Sequence, residues 1–198
     1  MNILAFSDFH ENKSAMKKIK EKLDTADILI CHGDLTNWGR NLEKIVNEIC
    51  SWGKNVLFLH GNHENENIMR NIVDKYKNAK FLHMASYRMG KYLIFGYGGD
   101  GFAATDGVFE KVSEKFAKEI KKDDIVIMVS HGPPYGNKAD YLGKDIGHRG
   151  CKSYTKFIEK YKPMLWICGH LHETFGAIDI KGKTVIANPG AEGRILKV

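Results

Sequence analysis

The sequence predicts an α/β fold in one domain that spans residues 1–198. Short apolar runs rich in Val, Ile and Leu, which are typical of buried strands, alternate with lysine-rich segments in which apolar residues recur at helical spacing. No linker, internal repeat or low-complexity segment interrupts the alternation. A chain of 198 residues is long enough to bury one sizeable core. We therefore expect a sheet covered by helices rather than a string of small units.

Strands are predicted where a mostly apolar run of roughly 4–8 residues ends in a polar or glycine-containing turn. The first run is NILAF, and runs such as DILIC, NVLFL and IVIMV follow at intervals that leave room for a helix between them. The last two runs stand on either side of a Lys-Gly turn, which predicts a meander of strands near the C-terminal end. The predicted strands are 2–6, 27–31, 55–59, 92–96, 125–129, 164–168, 175–180 and 183–187.

Helices are predicted in the segments between these runs, where apolar residues recur every three or four positions. Lysines fill many of the remaining positions, as expected for a helix face in contact with solvent. The predicted helices are 13–24, 41–51, 65–77, 109–121 and 150–161.

Charge and composition exclude several classes of protein. Thirty Lys and Arg against 24 Asp and Glu give a formal net charge of +6, which favours anionic partners only weakly. The basic stripe with interleaved exposed aromatic residues that is typical of nucleic-acid binders is not present, so a polymeric nucleic acid is not expected as a partner. Lysine- and glutamate-rich surfaces also occur in thermophiles, which is a second explanation for the charge. The sequence does not predict the oligomeric state.

We expect a cytoplasmic protein that does not interact with membranes. An apolar stretch of about 18 residues, as a membrane span requires, is not found, and MNILAFSDFHEN reaches a polar loop too early for a signal peptide. Cys31, Cys50, Cys151 and Cys168 form no CxxC pair. They are expected to be reduced and mostly buried.

Polar side chains that can bind metals follow five of the predicted strands, at the point where each strand ends. In open α/β sheets the ligand site lies beyond the carboxyl ends of the strands, so these side chains are expected to share one pocket. Within CGHLHET the two histidines are two positions apart, so a continuing strand would point both toward the same side. The residues are Asp8, His10, Asp34, Asn62, His63, His131, His170 and His172.

Each of these residues also has an ordinary explanation. A lone histidine after a strand is commonly a loop residue, and Gly-Asp and Gly-Asn are frequent turn dipeptides. Taken together they favour a metal site, because burying so many polar groups without partners would cost about 1–3 kcal/mol each.

The candidate ligands indicate which metals the site would take. They offer imidazole nitrogen, carboxylate oxygen and amide oxygen without thiolate, which suits Mn, Fe, Zn, Co or Ni rather than Ca or a cysteine-bound structural zinc. If one carboxylate bridges, seven side chains provide four ligands to each of two ions. Two divalent ions and two carboxylates leave a charge that a hydroxide and an anionic phosphate would neutralise, which favours a phosphate ester as substrate. The seven are Asp8, His10, Asp34, Asn62, His131, His170 and His172.

Five motifs in a fixed order give the sequence a family resemblance. They are D-x-H at 8–10, G-D at 33–34, G-N-H-E at 61–64, His131 and G-H-x-H at 169–172. Through them essentially the whole chain resembles the calcineurin-like metallophosphoesterase superfamily. The resemblance implies two mixed β-sheets packed as a sandwich and flanked by helices, with a dinuclear metal site at the strand ends.

The resemblance also implies roles for the residues. One ion would be held by Asp8, His10 and His172. The other would be held by Asn62, His131 and His170. Asp34 would bridge the two ions, and His63 would stabilise the phosphoryl oxygens or protonate the leaving group. Two divalent ions are thus expected as cofactors, with Mn preferred and Fe, Ni, Co or Zn as alternatives, and a metal-bridging hydroxide would attack the phosphorus in line.

The segment that begins HGPPYG at 131–136 resembles a narrower branch of metallophosphodiesterases that act on cyclic nucleotides. Its prolines and glycines predict a rigid loop beside the metal site. Tyr135, His148 and Arg149 are predicted to contact substrate, Arg149 through its planar guanidinium, although exposed loop arginines are common.

Other polar residues near the motifs leave alternatives open. Glu64 would either orient His63 or favour the dipole of the helix that it begins. His32 and His60 would either support the ligands from behind or pack at strand ends. His83 lies far from every motif in the sequence and is expected to be structural.

The preferred function is therefore a metal-dependent phosphodiesterase acting on a small phosphate diester, with a cyclic nucleotide as one candidate. The same site would also support a phosphomonoesterase or protein phosphatase. A non-catalytic interaction module on the same fold is the third alternative, and the complete ligand set disfavours it.

Overall fold

Two mixed β-sheets pack face to face and are flanked by helices, as the resemblance implied. The structure is a computed structural model that describes residues 1–99 and 101–198. The strands are β1 (Asn2–Phe6), β2 (Ile28–His32), β3 (Val56–Leu59), β4 (Ala79–Phe81), β5 (Ala85–Met89), β6 (Tyr92–Tyr97), β7 (Ile125–Ser130), β8 (Leu165–Ile167), β9 (Ile178–Lys181), β10 (Thr184–Ala187) and β11 (Arg194–Lys197). The helices are α1 (Lys13–Lys20), α2 (Leu42–Cys50), α3 (Glu66–Val73), α4 (Gly107–Ala117) and α5 (Lys152–Tyr161), with short 3₁₀ turns at Leu23–Thr25 and His172–Thr174.

The two sheets differ in strand order. The first has the order β11-β1-β2-β3-β4, in which β1 to β4 are parallel and β11 pairs antiparallel with β1. The second has the order β5-β6-β7-β8-β10-β9, in which β6, β7, β8 and β10 are parallel and both edge strands are antiparallel. The parallel strands of each sheet therefore end at one common edge.

The side chains of β1, β2 and β3 are buried on both faces of the first sheet, which explains the unbroken apolar runs in the sequence. In β1, Ile3 and Ala5 contribute to the core between the two sheets. Leu4 and Phe6 point the other way and belong to the core formed with α1, α2 and α3. The second sheet repeats this arrangement, with α4 and α5 covering its outer face.

Local sequence accounts for the helices that cover these faces. The side chain of Asn12 accepts hydrogen bonds from the backbone N–H groups of Ser14 and Ala15 and so caps the start of α1. Met16 and Ile19 are buried, while the lysines between them lie on the exposed face. Within residues 1–99 and 101–198, none of the helices combines the length and apolar character needed to cross a bilayer.

The predicted strands and helices are all present, but several bounds differ. The helix predicted over 13–24 ends at Lys20, and the one predicted over 65–77 ends at Val73, because the chain turns there to enter the next strand. Strands β4, β5 and β11 were not predicted. They are short or lie at a sheet edge with partly exposed side chains, so no clear apolar pattern marks them.

The predicted C-terminal meander is wrong. Strands β9 and β10 do form an antiparallel pair around the Lys-Gly turn, but β10 then pairs in parallel with β8. Strand β11 leaves this sheet altogether and pairs with β1 in the other sheet. A local turn signal identifies the hairpin, whereas the pairing of β11 depends on a contact between the two ends of the chain.

Candidate metal site

The side chains predicted from the strand ends lie together at one edge of the sandwich. They come from loops that follow β1, β2 and β3 in the first sheet and β7 and β8 in the second. The structure thus brings together residues that are far apart in the chain, such as His10 and His172, which are separated by 162 positions. All eight side chains named from the sequence belong to this cluster or contact it.

One group of donors consists of Asp8, His10 and His172, whose potential ligand atoms all lie within 4.8 Å of one another. The Nε2 atoms of His10 and His172 are 3.3 Å apart, and His172 Nε2 is 3.6 Å from Asp8 Oδ1. His10 Nδ1 lies 3.2 Å from the carbonyl oxygen of Thr36. A carbonyl only accepts, so Nδ1 carries the proton and the lone pair of Nε2 faces the cluster.

A second group consists of Asp34, His131 and His170, again with ligand atoms within 4.8 Å of one another. Asn62 Oδ1 is 3.1 Å from His131 Nε2 and 3.0 Å from His170 Nδ1. His131 Nδ1 donates to the carbonyl oxygen of His32 at 3.0 Å, so Nε2 is the ring nitrogen that faces the cluster.

The carboxylate of Asp34 lies between the two groups. Its Oδ2 is 3.9 Å from His10 Nε2 and 3.5 Å from His131 Nε2. Its Oδ1 accepts a hydrogen bond from the backbone N–H of His63 at 3.0 Å. Asp34 is therefore the carboxylate that lies near imidazoles of both groups.

Electrostatic coupling within the cluster is strong. Burial by itself would raise the pKa of Asp8, but contact with His172 and the charge of His131 hold that pKa well below its usual range. Burial opposes protonation of His131, yet Asp34 and Asp8 raise its pKa to about 9. Burial and the neighbouring His131 lower the pKa of His170 to about 4. Such divergent values are typical of a functional site.

The backbone is strained at four of the predicted ligands. Asp8, His10, Asp34 and His170 have φ values of 56°, 43°, 53° and 68°. The left-handed region costs a residue with a side chain about 1–2 kcal/mol. Strain of this kind persists where the surrounding structure holds it in place, and it clusters at functional sites.

Two motif glycines are required by the closeness of the carboxylates. A Cβ atom at Gly61 would collide with the carboxylate of Asp34, and one at Gly169 would collide with that of Asp8. The glycines of G-N-H-E and G-H-x-H therefore allow the loops to approach the cluster.

His63 lies beside the cluster. Its Nε2 is 3.9 Å from Asp34 Oδ2, and its ring stacks on Trp38 with centroids 4.2 Å apart and planes 25° apart. Its Nδ1 is buried and has no hydrogen-bond partner among the described residues. The position suits a side chain that contacts a substrate, and its role there stays a prediction.

The main contacts of Glu64 correspond to neither of its two predicted roles. Its buried carboxylate accepts hydrogen bonds from the backbone N–H groups of Asp34 at 2.9 Å, Gly61 at 3.1 Å and Thr36 at 3.0 Å, and from the Thr36 hydroxyl at 2.9 Å. Among the described residues it makes no hydrogen bond to His63. Glu64 instead ties the turn after β2 to the turn after β3.

The predicted substrate contacts lie in a loop organised by a residue that the sequence did not reveal. The buried carboxylate of Asp140 accepts hydrogen bonds from the backbone N–H groups of Gly136, Asn137 and Gly150 and from His148 Nδ1 at 2.8 Å.

Tyr135 packs on the His148 ring at 5.5 Å, and Arg149 is exposed in the same loop. In the described part of the chain, no hydrogen bond or ring contact joins these three side chains to the metal-binding cluster. Their role as substrate contacts therefore stays a prediction.

His60 and His83 meet in space although they are distant in sequence. Their ring centroids are 4.6 Å apart, and together with Glu66 they form a separate group of possible ligands. The Gly98 N–H donates to His83 Nδ1 at 2.9 Å, so the proton of the neutral ring sits on Nε2, which faces Glu66 Oε2 at 3.6 Å. This tautomer favours a polar contact over a bound cation. His83 thus lies close to the G-N-H-E motif.

His32 is fully buried beneath the cluster, and neither of its ring nitrogens has a hydrogen-bond partner among the described residues. Burial lowers its pKa to about 3, so its ring is neutral. Its carbonyl oxygen, rather than its ring, contacts the site through His131.

Imidazole and carboxylate donors at the strand ends of an α/β sandwich are typical of hydrolases that act through bound divalent cations. Comparison with known proteins narrows this class. Residues 1–174 match the family model described as calcineurin-like phosphoesterase, and the chain belongs to that family. It is a metal-dependent phosphoesterase.

Similar proteins extend over nearly all of the chain. An uncharacterized protein of Methanocaldococcus jannaschii is 29% identical in an alignment over 200 residues. The alignment covers 96% of this chain and 88% of that protein. The crystal structure of TT1561 from Thermus thermophilus has a TM-score of 0.76 and 18% identity over 96% of this chain and 90% of that one. A dimetal phosphatase from Danio rerio has a TM-score of 0.62 and 9% identity over 94% of this chain and 86% of that one. At these identities the two structures show a shared fold.

Family membership implies two divalent cations, and the residues present fit them. The Nε2 atoms of His10 and His131 are the ring nitrogens that face the cluster, because each Nδ1 is engaged by a backbone carbonyl. The carboxylates of Asp8 and Asp34 lie against imidazoles from both groups. Nitrogen and oxygen donors without thiolate suit a catalytic divalent transition metal.

Proposed function

We propose that this protein is a phosphodiesterase that hydrolyses a small phosphate diester. Asp8, His10 and His172 would hold one divalent cation. Asn62, His131 and His170 would hold the other. The observation that carries the proposal is the position of Asp34, whose carboxylate lies between the two donor groups and would be shared by both cations.

When bound, the cations supply Lewis acidity, which withdraws charge from the phosphoryl oxygens and makes water easier to deprotonate. Hydrolysis forms a bond from a water oxygen to phosphorus and breaks the phosphorus–oxygen bond to the leaving group, whose oxygen takes up a proton. His63 is partly exposed and lies beside Asp34, where it would donate a hydrogen bond to a phosphoryl oxygen or a proton to the leaving oxygen. The stack on Trp38 would keep its ring oriented.

The charge of the site supports a diester over a monoester. A diester carries one negative charge at neutral pH, whereas a monoester approaches two. In the described residues, no Lys or Arg forms an ion pair or hydrogen bond with the eight clustered side chains, although Arg is the residue best suited to bind a phosphate dianion. The resemblance of the HGPPYG loop to a metallophosphodiesterase branch points the same way.

Manganese is the proposed metal, with Fe, Ni, Co or Zn as alternatives, since the imidazole, carboxylate and amide donors suit all of them. The four cysteines are buried and free, which supports action in the reducing cytoplasm.

The test is hydrolysis of bis(p-nitrophenyl) phosphate and p-nitrophenyl phosphate by metal-stripped protein resupplied with Mn, Ni, Co, Zn or Mg. We expect a metal to restore cleavage of the diester, and Asp34→Ala to abolish it and lower the metal content. Ile180→Ala, which changes an exposed residue on edge strand β9, is the control for handling and should retain activity.

Two outcomes would change the assignment. Preference for the monoester would move it to a phosphomonoesterase. Tight metal binding without turnover of either ester would favour a protein that binds a partner through this fold.

A further inference from the structure

Exposed aromatic side chains surround the candidate metal site. Trp38 is 76% exposed, Phe102 69% and Phe175 39%. Among the described residues, Tyr141 is the one other aromatic side chain with comparable exposure, and it contacts His148. Aromatic rings usually bury most of their surface, so three exposed rings at one site call for an explanation.

Each of the three rings rests on a different histidine of the site. Trp38 stacks on His63 at 4.2 Å. Phe102 meets His170 edge-on at 4.3 Å with an interplanar angle of 86°, and Phe175 lies 5.0 Å from His172. The rings come from three separate chain segments, and we call Trp38, Phe102 and Phe175 the aromatic rim.

The backbone at Trp38 is held in an unfavourable conformation. Its φ is 58°, in the left-handed region that bulky residues rarely adopt, and Gly39 follows with φ 78°. The Thr36 hydroxyl accepts the Gly39 N–H at 3.0 Å, and the same hydroxyl donates to Glu64. The carboxylate that braces Asp34 therefore also braces the turn that presents Trp38.

Stacking on His63 accounts for one side of the indole and leaves most of the ring open to solvent. Because the indole is already held in one orientation, it loses little conformational entropy when a flat ligand stacks on it, and this favours binding. Base–aromatic stacking is a common way to bind nucleobases without reading their sequence.

We infer that the aromatic rim, with Trp38 as its main platform, is a subsite for a planar aromatic group carried by the substrate. The inference rests on the proposed function for the phosphate position. It narrows the substrate class to phosphate esters that bear a nucleobase or another flat ring, as opposed to esters of aliphatic alcohols alone.

The test compares two ligands that differ only in the base. Adenosine 5′-monophosphate and ribose 5-phosphate share the sugar and the phosphate, and their affinities for the metal-loaded protein can be measured by calorimetry. We expect the nucleotide to bind about 10- to 100-fold more tightly, the range that one stacking contact gives. Phenyl phosphate distinguishes the two possible sources of the flat ring. If it binds strongly and this binding needs Trp38, the substrate is an aryl ester. If it binds weakly, the substrate is a nucleotide.

Variants at Trp38 test whether its indole ring causes the preference for the nucleotide. Trp38→Ala should abolish the preference for the nucleotide over ribose 5-phosphate, whereas Trp38→Phe should retain most of it. Loss of the stack on His63 would change the affinity for both ligands alike, so the ratio of the two affinities is the readout. Trp38→Gly suits the left-handed backbone, so it removes the ring without a folding penalty from φ. Ile180→Ala is the matched control, because it removes an apolar side chain that is 68% exposed but lies away from the site.

The outcomes separate this inference from the proposed function. Equal affinity of the wild type for both ligands, or a nucleotide preference that survives Trp38→Ala and Trp38→Gly, overturns the subsite even if diesters are hydrolysed. A nucleotide preference that depends on Trp38, in a protein that turns over no diester, supports the subsite and overturns the proposed function.

Discussion

At the scale of single residues, the carboxylate of Glu64 connects the fold to the site. It accepts hydrogen bonds from backbone groups of Asp34, Gly61 and Thr36, which belong to two different turns. Burial and the neighbouring charge of Asp34 raise the pKa of Glu64, so the backbone donors are needed to hold it as a carboxylate. Asp34 is therefore positioned by a residue 30 positions away in the chain.

Glu64→Gln is expected to lower the free energy of unfolding by about 1–3 kcal/mol. Either orientation of the amide turns its NH₂ toward at least one backbone N–H, which then loses its acceptor. Urea denaturation of the metal-free proteins measures the change. Glu43→Gln, which affects an exposed pair with Lys75, is the control and should have a much smaller effect. Equal effects of the two substitutions would contradict the role given to Glu64.

His63→Ala is expected to reduce turnover of the diester by about 10²- to 10⁴-fold, the range for loss of a general acid. Metal content should stay near that of the wild type, because Asp34 and the donors on either side of it remain. Steady-state kinetics and metal analysis of the purified variant provide the two measurements. If His63→Ala loses as much metal as Asp34→Ala, His63 is a ligand and its proposed role is wrong.

At the scale of elements, the loop between β7 and α5 is folded around one buried side chain. Its sequence is rich in glycine and has little regular structure, but Asp140 gathers three backbone N–H groups and His148. The hydrogen bonds to Asp140, in addition to the prolines, therefore hold the loop in one conformation.

Asp140→Ala is expected to loosen this loop, because several buried N–H groups lose their acceptor at about 1–3 kcal/mol each. Hydrogen exchange of the peptide covering residues 131–151 should become faster, while exchange in β1 to β3 stays unchanged. Asp145→Ala, an exposed carboxylate in the same loop, is the matched control. Unchanged exchange in the Asp140 variant would show that the loop is held by other contacts.

At the scale of the whole molecule, the candidate metal site joins the two sheets. The predicted ligands that follow β1, β2 and β3 meet those that follow β7 and β8 across the edge of the sandwich. A cation bound there would link the two sheets, and its binding free energy would add to the stability of the folded protein.

Metal removal is expected to lower the thermal midpoint. At a free metal concentration of about 100 times Kd, one bound ion adds about 2.7 kcal/mol, which corresponds to roughly 5–10 °C for a chain of this size. Calorimetry of chelator-treated protein before and after addition of Mn measures the shift. Asp34→Ala should show a much smaller one. A midpoint that does not move while titration shows metal bound would mean that the ions do not stabilise the fold.

Several features of this protein were readable from the sequence because they are local. The runs NILAF, DILIC and IVIMV mark strands since each is apolar on both faces, and Asp8, Asp34 and His131 follow them directly. Parallel strands end at a common edge, so the sequence alone indicated that these side chains would meet. The structure brings them together, while their roles as ligands stay predictions.

Only the tertiary structure decided the features that depend on residues far apart in the chain. Three contacts of this kind are the pairing of β11 with β1, the hydrogen bond from Asp34 to Glu64 and the stacking of Trp38 on His63. Each joins two separate segments of the chain, and no pattern within either segment predicts its partner. Apolar periodicity reports which face of an element is buried, and motif spacing reports which residues end a strand. Hydrogen-bond partners and ring contacts follow from how the two sheets pack, and this packing determined the walls of the site.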